Sequence, residues 1–547
     1  MKRILVIGGY GGFGARLSRR LAAAGHQVLV AGRSAEKAHA FAAALPNAEG
    51  IAADRGRDFA PVLVANKVDL LIDAAGPFQD SGYAVPEACI DMGVPYFDLA
   101  DARDFVAGVG ALYKRARAAG VPVIAGASTA PALTGAVARK LAEGLGRVDQ
   151  VEIALSAAAK ITAGASVSRA ILSYVGRPVQ LWRGGRWSLG HGWQELRKPE
   201  MRAGTYAIRR RVALIDVPDH ELLAPLLPGQ PAVTFRAGNE LALQMWPLWL
   251  LSWPVRWRWL RSLRGLAGLL LPLQRATAWL GGDRSGMIVT LNGRRGAEAV
   301  ERRWTVVAVD DDGPEIPTLT AMLLAEDLFA GKLEPGACSA EKLLPLERFE
   351  GAFEGLALAH SIEERVLPPV LYEQIMGPHF AALPPMVRAI HDLHGDAGAA
   401  GEGRVGRGRN LFARLMGWIA GFPPAGNYPL HVAFAERDGK ERWTRDFGGH
   451  VFSSELSTKW GLAVERFGPM RFGFALVPAK DGLVMHSKRW SIFGIRLPLF
   501  LAPRIAAREW EAEARFHFDV RLSFPLIGEI AHYRGWLTPL RRSGSCR

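Results

Sequence analysis

Five glycines lie within seven positions near the amino terminus, at residues 8–14. Three of them fit Gly-x-Gly-x-x-Gly, in which the first glycine makes a tight turn, the second admits a pyrophosphate against bare backbone and the third lets a helix pack closely on a strand. The anion would then lie on the free N–H groups of the helix predicted to begin near Ala15. The residues predicted to bind a dinucleotide here are Gly8, Gly9, Tyr10, Gly11, Gly12, Phe13 and Gly14.

The segments on either side of the glycines support this interpretation. Residues 4–7 are apolar without polar alternation, which is typical of a parallel strand buried on both faces. A helix pattern follows the glycines, and residues 27–31 predict a second strand. Because strand, glycine turn, helix and strand come in this order, the pattern favours a dinucleotide site over a flexible loop.

The end of the second strand bears on which dinucleotide is bound. NAD enzymes usually carry an acid there to hold the ribose diol, whereas this chain has Arg33-Ser34. The planar donors of Arg33 suit a ribose 2′-phosphate, which favours NADP over NAD. The alternative is that Arg33 only faces solvent and Glu36 serves the ribose. After a short third strand, Asp54 is predicted to touch the adenine edge.

Small residues follow the fourth predicted strand, residues 68–73. They would let the nicotinamide half of the cofactor pass over the strand end, at the crevice where open α/β sheets bind ligands. The cofactor-binding residues predicted here are Ala74, Ala75, Gly76 and Pro77.

Four polar residues near that crevice could supply a proton or stabilise charge during hydride transfer. They are Tyr83, Asp98, Asp101 and Ser128. Each lies just past a predicted strand end or in the following helix, where a cap or a structural hydrogen bond is an equally good explanation. A short-chain reductase mechanism is disfavoured, because none of the nine tyrosines has Lys four positions on.

Two further chemistries are disfavoured by their missing partners. Residues 126–130 place Ser128 on a strand-to-helix turn like a nucleophile elbow, but Ala130 replaces the second glycine and no His-Gly-Gly-Gly motif occurs. His391 and His394 lack the His-Glu-x-x-His arrangement. No metal site is therefore predicted.

Six strands alternate with helices by residue 126, which predicts a doubly wound parallel sheet over residues 1–130. At 547 residues the chain is long enough for two or three domains, and 49% hydrophobic against 22% charged residues is typical of a folded protein. The three cysteines are scattered without metal-ligand spacing and no secretory signal is evident, so a reduced, cytoplasmic setting is expected.

The formal net charge of +14 raises the question of a nucleic-acid partner. The arginines are spread through Ala- and Gly-rich segments without an RNA-binding signature, finger spacing or basic heptads, so no nucleic acid is expected. The positive charge is better explained by binding to acidic small molecules or to an anionic membrane surface.

The first quarter of the chain resembles the NADP-binding domain of the saccharopine dehydrogenase-like oxidoreductases of bacteria. The likeness is carried by the glycine motif at 9–14, by Gly76-Pro77-Phe78, by residues 93–98 and by Gly126-Ala127-Ser128 with Pro131. The resemblance implies a Rossmann fold, NADP and oxidoreductase activity. Members usually continue the fifth strand toward a Gly-Glu pair, but this chain has residues 99–102, Leu-Ala-Asp-Ala, so no substrate role is carried over to that position.

Residues 131–350 predict an α+β substrate domain, again resembling that family. Residues 151–155 alternate like a half-buried strand, and 179–187 look like a hairpin on Gly184-Gly185. An antiparallel sheet beside the first domain is expected, with a helix over 317–330 that returns to it.

Within this region, residues 241–273 form a Trp/Arg-rich apolar segment. Its prolines and arginines leave no apolar run long enough to span a bilayer. Tryptophans beside arginines match a helix lying in the headgroup layer, which predicts peripheral contact with the inner face of the membrane. An apolar lid or a homodimer face packed on protein explains the composition equally well.

Residues 366–540 predict a separate, mostly antiparallel β domain. A helix-like start over 371–391 gives way to a Gly-rich stretch at 395–408 and then to strands. The phrases at 443–449 and 518–520 resemble a domain of uncharacterised function often appended to saccharopine dehydrogenase-like chains.

These patterns predict an NADP-dependent oxidoreductase acting on a small, hydrophobic or lipid-like carbonyl, imine or enoyl substrate. The Trp/Arg segment motivates the apolar substrate. The alternative is a non-catalytic, membrane-associated scaffold that binds NADP only as a ligand.

Overall fold

The computed structural model describes residues 1–159, 165–408, 411, 414, 421–525 and 527–540, and for residues 165–169, 271 and 275 it describes the backbone alone. Strands and helices alternate through the first part of the chain. In order they are β1 (Arg3–Ile7), α1 (Gly12–Ala23), β2 (Gln27–Gly32), α2 (Ala35–Ala42), β3 (Ala48–Ala52), α3 (Ala60–Asn66), β4 (Leu70–Asp73), α4 (Ala84–Asp91), β5 (Tyr96–Asp98), α5 (Arg103–Gly108), α6 (Tyr113–Ala118), β6 (Pro122–Ala125) and α7 (Thr134–Ala142).

The middle of the chain mixes long strands with short hairpins and helices. Its elements are β7 (Arg147–Ala157), α8 (Ala165–Tyr174), β8 (Pro178–Arg183), β9 (Arg186–His191), β10 (Glu200–Ala203), β11 (Tyr206–Arg209), β12 (Ala213–Leu214), α9 (Asp219–Leu222), β13 (Ala232–Asn239), α10 (Ala242–Arg256), α11 (Ala267–Thr277), β14 (Ser285–Arg295), β15 (Glu298–Ala308), α12 (Ile316–Phe329), β16 (Gly336–Ser339), α13 (Leu346–Phe353) and β17 (Leu358–Val366).

The last part is dominated by strands. Its elements are α14 (Leu371–Met376), α15 (Pro385–His391), β18 (Asp396–Arg407), β19 (Gly426–Arg437), β20 (Lys440–Phe447), β21 (His450–Lys459), β22 (Leu462–Phe467), β23 (Met470–Ala479), β24 (Gly482–Ile492), β25 (Ile495–Arg496), β26 (Arg504–Ala512), β27 (Arg515–Phe524) and β28 (Gly528–Pro539).

The first sheet is a parallel Rossmann sheet in the order β3-β2-β1-β4-β5-β6-β16. The predicted doubly wound fold is confirmed. The strand order reverses between β1 and β4, which creates the crevice where such sheets bind ligands. The seventh strand, β16, was not predicted from the sequence. It follows α12, which packs on α1, and it pairs with β6.

Two apolar cores sandwich this sheet. Leu5, Leu29 and Leu71 point into a core of the first domain alone, whereas Ile4, Val6 and Val30 belong to a larger core shared with the middle sheet. The alternation of neighbouring residues between two buried faces explains why these strands read as continuous apolar runs.

The middle domain is α+β, built on a six-stranded sheet in the order β12-β13-β7-β14-β15-β17. The sheet is antiparallel, as expected, except that β13 pairs with β7 in parallel. A crossover that includes α8 separates these two strands in the chain, and such a connection permits parallel pairing. The hairpin of β8 and β9 has its turn at Gly184-Gly185, with φ of +60° and +71°, as the sequence predicts.

Ten strands of the last domain close into an antiparallel barrel. The order runs from β23 through β22, β21, β20, β19, β18, β28, β27 and β26 to β24, and β24 pairs back onto β23. Side chains of α14 and α15 share one buried cluster with the barrel strands, so the two helices contribute to the barrel core. The predicted antiparallel β domain is confirmed.

Two local expectations in this domain are wrong. The helix-like segment 371–391 is broken into α14, a 3₁₀ turn at Gly377–Phe380 and α15. The Gly-rich stretch 395–408 does not merely precede the strands, because most of it is strand β18. The Gly-Gly turn of the β8–β9 hairpin packs on this strand: the Gly184 N–H donates to Asp396 Oδ1 at 2.5 Å.

No described helix has the length and apolar content needed to cross a membrane.

Candidate functional site

The loop between β1 and α1 lies where several strands end together. The amides of Gly8 and Gly9 donate hydrogen bonds to the Ala31 carbonyl at the end of β2, at 2.8 and 3.2 Å. Gly8 has a φ of +72°, and a Cβ there would lie 3.1 Å from the Ala74 carbonyl oxygen after β4. The predicted phosphate loop and the predicted nicotinamide turn therefore touch at one edge of the sheet.

The glycines of this loop do different things. A Cβ on Gly14 would lie 2.1 Å from the Gly8 carbonyl oxygen, so only glycine lets α1 approach the strand this closely. Gly11 and Gly12 are exposed, and a Cβ on Gly12 would meet nothing within 4 Å. The first N–H groups of α1 thus face open space, which fits the diphosphate of a dinucleotide.

Tyr10 connects this loop to the end of β2. Its hydroxyl accepts a hydrogen bond from the Ser34 backbone N–H at 3.2 Å. A Cβ on Gly32 would lie 2.4 Å from the tyrosine ring, so glycine is also required beneath it. Phe13 is half-buried in the first turn of α1.

The end of β2 carries exposed cations. The Arg33 side chain is exposed, and within the described part of the chain its guanidinium has no hydrogen bond or ion pair. Ser34 caps α2, its hydroxyl oxygen accepting from the Lys37 N–H at 3.3 Å. Lys37 and Glu36 are both exposed in the first turn of α2. Two cations and one acid therefore surround the expected position of the adenosine ribose.

Beyond β3 the chain supplies one exposed acid and one bridging cation. Asp54 Oδ1 accepts from the Gly56 N–H at 3.0 Å, which places Asp54 in a tight exposed turn. Arg55 contacts the end of β4. Its guanidinium donates a hydrogen bond to the Ala75 carbonyl oxygen at 2.8 Å and lies 3.5 Å from Asp73 Oδ2.

The turn after β4 is held by the carboxylate of Asp73. This residue is completely buried, and its Oδ1 accepts from the Ala75 N–H at 2.9 Å. Burial raises the pKa of Asp73, and the charge of Arg55 opposes that rise. Ala74, Ala75 and Gly76 are half-buried and Pro77 is exposed, so the turn presents small side chains at the crevice.

Asp98 joins the ends of β5 and β6. Its Oδ1 accepts from the Ala100 N–H at 3.0 Å and from the Gly126 N–H at 2.8 Å. Burial raises its pKa to about 7, although the two amide donors favour the ionised form. Asp98 is completely buried, so its observed contacts position two crevice loops.

Asp101 and Ser128 are more accessible than Asp98. Asp101 is exposed, and its Oδ1 accepts from Gln79 Nε2 at 3.3 Å, which links the loops after β4 and β5. Ser128 is half-buried in the turn after β6, where its carbonyl accepts from Thr320 Oγ1 at 3.2 Å. These residues meet at the strand-end edge, and their catalytic roles remain predictions.

Tyr83 is placed differently from the other three polar residues. Its hydroxyl donates to the Phe105 carbonyl oxygen at 2.7 Å, and the two rings pack with centroids 4.9 Å apart. This contact joins the start of α4 to α5 on the flank of the sheet.

The middle domain closes over the same crevice. Arg264, in the Trp/Arg-rich segment, donates to Asp80 Oδ2 at 2.9 Å in the loop that follows β4. Burial raises the pKa of Tyr174 at the end of α8, and the negative charges of Asp101 and Asp216 raise it further. A tyrosine of the middle domain therefore lies within electrostatic range of the exposed acid after β5.

Sequence reasoning missed four of these residues: Arg55, Asp73, Gln79 and Tyr174. A signal existed for Asp73, because a lone acid ending an apolar strand at a predicted crevice is unusual. Arg55, Gln79 and Tyr174 gave no such signal, since their importance depends on loops from distant parts of the chain.

Comparison with known families agrees with this geometry. Residues 4–124 match the model described as the saccharopine dehydrogenase NADP binding domain, and residues 383–537 match a domain of unknown function, DUF4166. The chain joins these two domains. The resemblance inferred from the sequence is confirmed. The matched residues cover every strand of the first sheet except β16, the first residue of β1 and the last residue of β6.

Several solved structures are partly similar to the chain. An amine dehydrogenase from Mycobacterium smegmatis is 11% identical, covering 63% of this chain and 96% of its own at a TM-score of 0.37. A 3-ketoacyl-(acyl-carrier-protein) reductase from Brucella melitensis, complexed with NADH, is 18% identical, covering 23% of this chain and 73% of its own at a TM-score of 0.20. Similarity this low carries no information on substrate. No curated protein matches the chain significantly.

Proposed function

We propose that this protein is an NADP-dependent oxidoreductase that acts on a hydrophobic or lipid-like carbonyl, imine or enoyl substrate. The observation that carries the proposal is the exposed backbone of Gly11 and Gly12, with open space at the Cβ position of Gly12, at the start of α1 and beside the turn after β4. The family match of the first domain supports a dehydrogenase or reductase that uses a dinucleotide.

The preference for NADP rests on the end of β2. Arg33 is exposed there, with Lys37 one helical turn away, and both can pair with a 2′-phosphate. The exposed carboxylate of Glu36 is the group that would instead favour a ribose diol. Because Arg33 directly follows the strand end, we expect the cation to decide the preference.

The residues of the chain have separable roles in this proposal. The cofactor, when bound, supplies the hydride chemistry. Gly11 and Gly12 hold its diphosphate, Asp73 and Arg55 fix the turn after β4, and Asp98 fixes the turns after β5 and β6.

Asp101 is the group best placed to exchange a proton at the crevice. It is exposed and hydrogen-bonded to Gln79, whereas the observed hydrogen bonds of Asp98 go to backbone amides and Tyr83 donates to a carbonyl oxygen. Replacement by Asn keeps this hydrogen bond and removes the titrating group, so turnover should fall while cofactor affinity stays.

The class of substrate is argued from the middle domain. A cavity of about 350 Å³ there is lined by three apolar side chains, Leu189, Trp249 and Trp253, and by four polar ones, His191, Gln194, Glu195 and Arg256. Indole and leucine side chains beside a few polar groups suit a molecule with an apolar part and a polar group.

The first experiment titrates the purified protein with NADPH and with NADH, following ligand or protein fluorescence. We expect tighter NADPH binding, and Arg33→Ala should weaken NADPH about tenfold with little effect on NADH. Arg117→Ala is the matched control, because Arg117 is an exposed arginine of the same domain on α6. Equal affinities of the wild type for both nucleotides would refute the NADP assignment.

The second experiment measures NADPH oxidation across carbonyl, imine and enoyl compounds with short and long apolar chains. Turnover that improves with chain length supports the proposal. Binding of NADPH without turnover on any compound would favour the non-catalytic scaffold instead.

A further inference from the structure

Helix α10 has an apolar face that no described part of the protein covers. Leu243, Trp246, Leu250 and Trp257 follow one another at intervals of three, four and seven residues and are 60%, 40%, 59% and 53% exposed. The opposite face, with Met245, is buried against the middle domain. A helix with apolar residues on every face is normally buried on every face. The exposed face of α10 therefore lacks the packing partner that its composition predicts.

Helix α11 and the turn after it continue the same surface. Leu269, Leu273 and Trp279 are 70%, 54% and 73% exposed. Gln244 Nε2, near the start of α10, donates to the Gln274 carbonyl and to Thr277 Oγ1 near the end of α11. The start of α10 therefore lies beside the end of α11.

Tryptophan rings run along α10 in an unbroken series of contacts. Successive centroids of Trp246, Trp249, Trp253, Trp257 and Trp259 are 5.4, 6.1, 5.6 and 5.1 Å apart. The series begins at Trp246, which is 40% exposed, and ends at Trp259, which is 75% exposed. Trp is the residue most suited to the boundary between hydrocarbon and headgroups.

The charge of this surface has one sign. Residues 241–282 contain no Asp or Glu, and their arginines are Arg256, Arg258, Arg261, Arg264 and Arg275. Asp283 follows these residues directly, while Glu240, which precedes them, is paired with Arg210, and Asp80 is paired with Arg264. The surface therefore combines exposed apolar side chains with an excess of positive charge.

We propose that residues 241–280 dock this protein on an anionic phospholipid surface, with α10 and α11 lying flat in the headgroup layer. Their exposed Trp and Leu side chains enter the acyl boundary while Arg258 and Arg261 pair with lipid phosphates. A second copy of the chain is the poorer occupant, because a two-fold interface would bring the same arginines against one another.

The docking surface adjoins the cofactor crevice through the Arg264–Asp80 ion pair. A substrate that leaves the lipid layer would enter the protein close to the crevice. This consequence rests on the proposed function, whereas the docking itself does not.

Vesicle co-sedimentation tests the proposal on the full chain. We expect binding to phosphatidylcholine vesicles that contain phosphatidylglycerol, weak binding to phosphatidylcholine alone, and a decrease as salt rises. The triple variant Trp257→Ser, Trp259→Ser, Trp279→Ser should bind these vesicles at least about tenfold more weakly than the wild type. The matched control is Phe493→Ser with Phe500→Ser, two aromatic residues of the last domain that are 83% and 75% exposed.

A charge variant keeps the test valid if the tryptophan variant misfolds. Arg258→Glu with Arg261→Glu leaves the apolar surface intact and should abolish the preference for anionic vesicles. An unchanged circular-dichroism spectrum and unfolding temperature show that each variant is folded. NADPH binding and turnover in solution are measured separately, so failure of docking and failure of the proposed enzyme are distinguishable.

Three outcomes would overturn the proposal. The wild type fails to bind anionic vesicles at any salt concentration; the triple variant binds as well as the wild type; or the wild type is a dimer in solution that the triple variant converts to monomer, with vesicle binding absent from both.

Discussion

Two glycine-rich segments of this protein use glycine for opposite purposes. In the loop at residues 8–14 the position of a Cβ on Gly12 is open space, whereas in β18 a Cβ on Gly401 would lie 2.0 Å from the Trp536 carbonyl oxygen. At Gly12 the missing side chain leaves room for a ligand, whereas at Gly14 of the same loop it makes room for the Gly8 carbonyl oxygen, which would lie 2.1 Å from a Cβ. In the barrel, missing side chains leave room for the neighbouring strand, and the same residue type carries no functional meaning there.

The largest effect is expected where the chain itself fills the space. Gly401→Val should destabilise the barrel by about 3 kcal/mol or more, because the backbone of β28 must move. Gly406→Val in the same strand is the matched control, since its Cβ would meet the His532 carbonyl oxygen at an ordinary 3.6 Å. Urea unfolding of the two variants measures the difference. Equal stabilities would contradict the claim that the backbone of β28 fills the space beside Gly401.

The next effect is expected where the space is open. Gly12→Val should weaken NADPH binding about a hundredfold, near 2.7 kcal/mol, while the unfolding temperature stays unchanged. The control is Gly110→Val, another exposed glycine of the first domain whose Cβ would meet nothing within 4 Å. Unchanged affinity in a folded Gly12→Val sample would show that this loop does not hold a diphosphate.

Buried carboxyl groups give the first domain and the barrel the same dependence of folding stability on pH. Burial raises the pKa of Asp98 and of Glu441 to about 7. The folded state therefore holds a proton that the unfolded state has released, and stability falls as pH rises from about 4 to 7.

Replacing either acid by its amide should remove this slope at one site. Between pH 5 and 7 the wild type should lose about 2 kcal/mol more stability than Asp98→Asn or Glu441→Gln. Urea unfolding at several pH values provides the measurement, and a slope unaltered by either substitution would contradict the assigned burial effect.

The smallest effect is expected at Tyr10, the side chain that spans the loop. Tyr10→Phe removes the acceptor for the Ser34 N–H and should cost about 1 kcal/mol of NADPH affinity while keeping the ring over Gly32. The same titration as for Arg33→Ala detects it. A loss as large as that of Gly12→Val would mean that Tyr10 organises the whole loop.

The amino-acid sequence alone determined the features that depend on neighbours along the chain. The glycine spacing, the buried strands, the Gly184-Gly185 hairpin and the alternation of the barrel strands follow from local sterics and from the period of apolar residues. For the same reason the residues predicted to bind the cofactor lie together, where the ends of β1, β2 and β4 meet.

Only the tertiary structure decided which distant residues meet. The addition of β16 to the first sheet, the closure of the barrel by β23 and β24, and the meeting of Gln79 with Asp101 join residues whose separation in the chain carries no local signal. The same is true of the two faces of α10, because an all-apolar helix does not reveal which side the protein covers. Contacts of this kind depend on the order of strands in a sheet and on the packing of whole domains, which local conformational preferences do not specify.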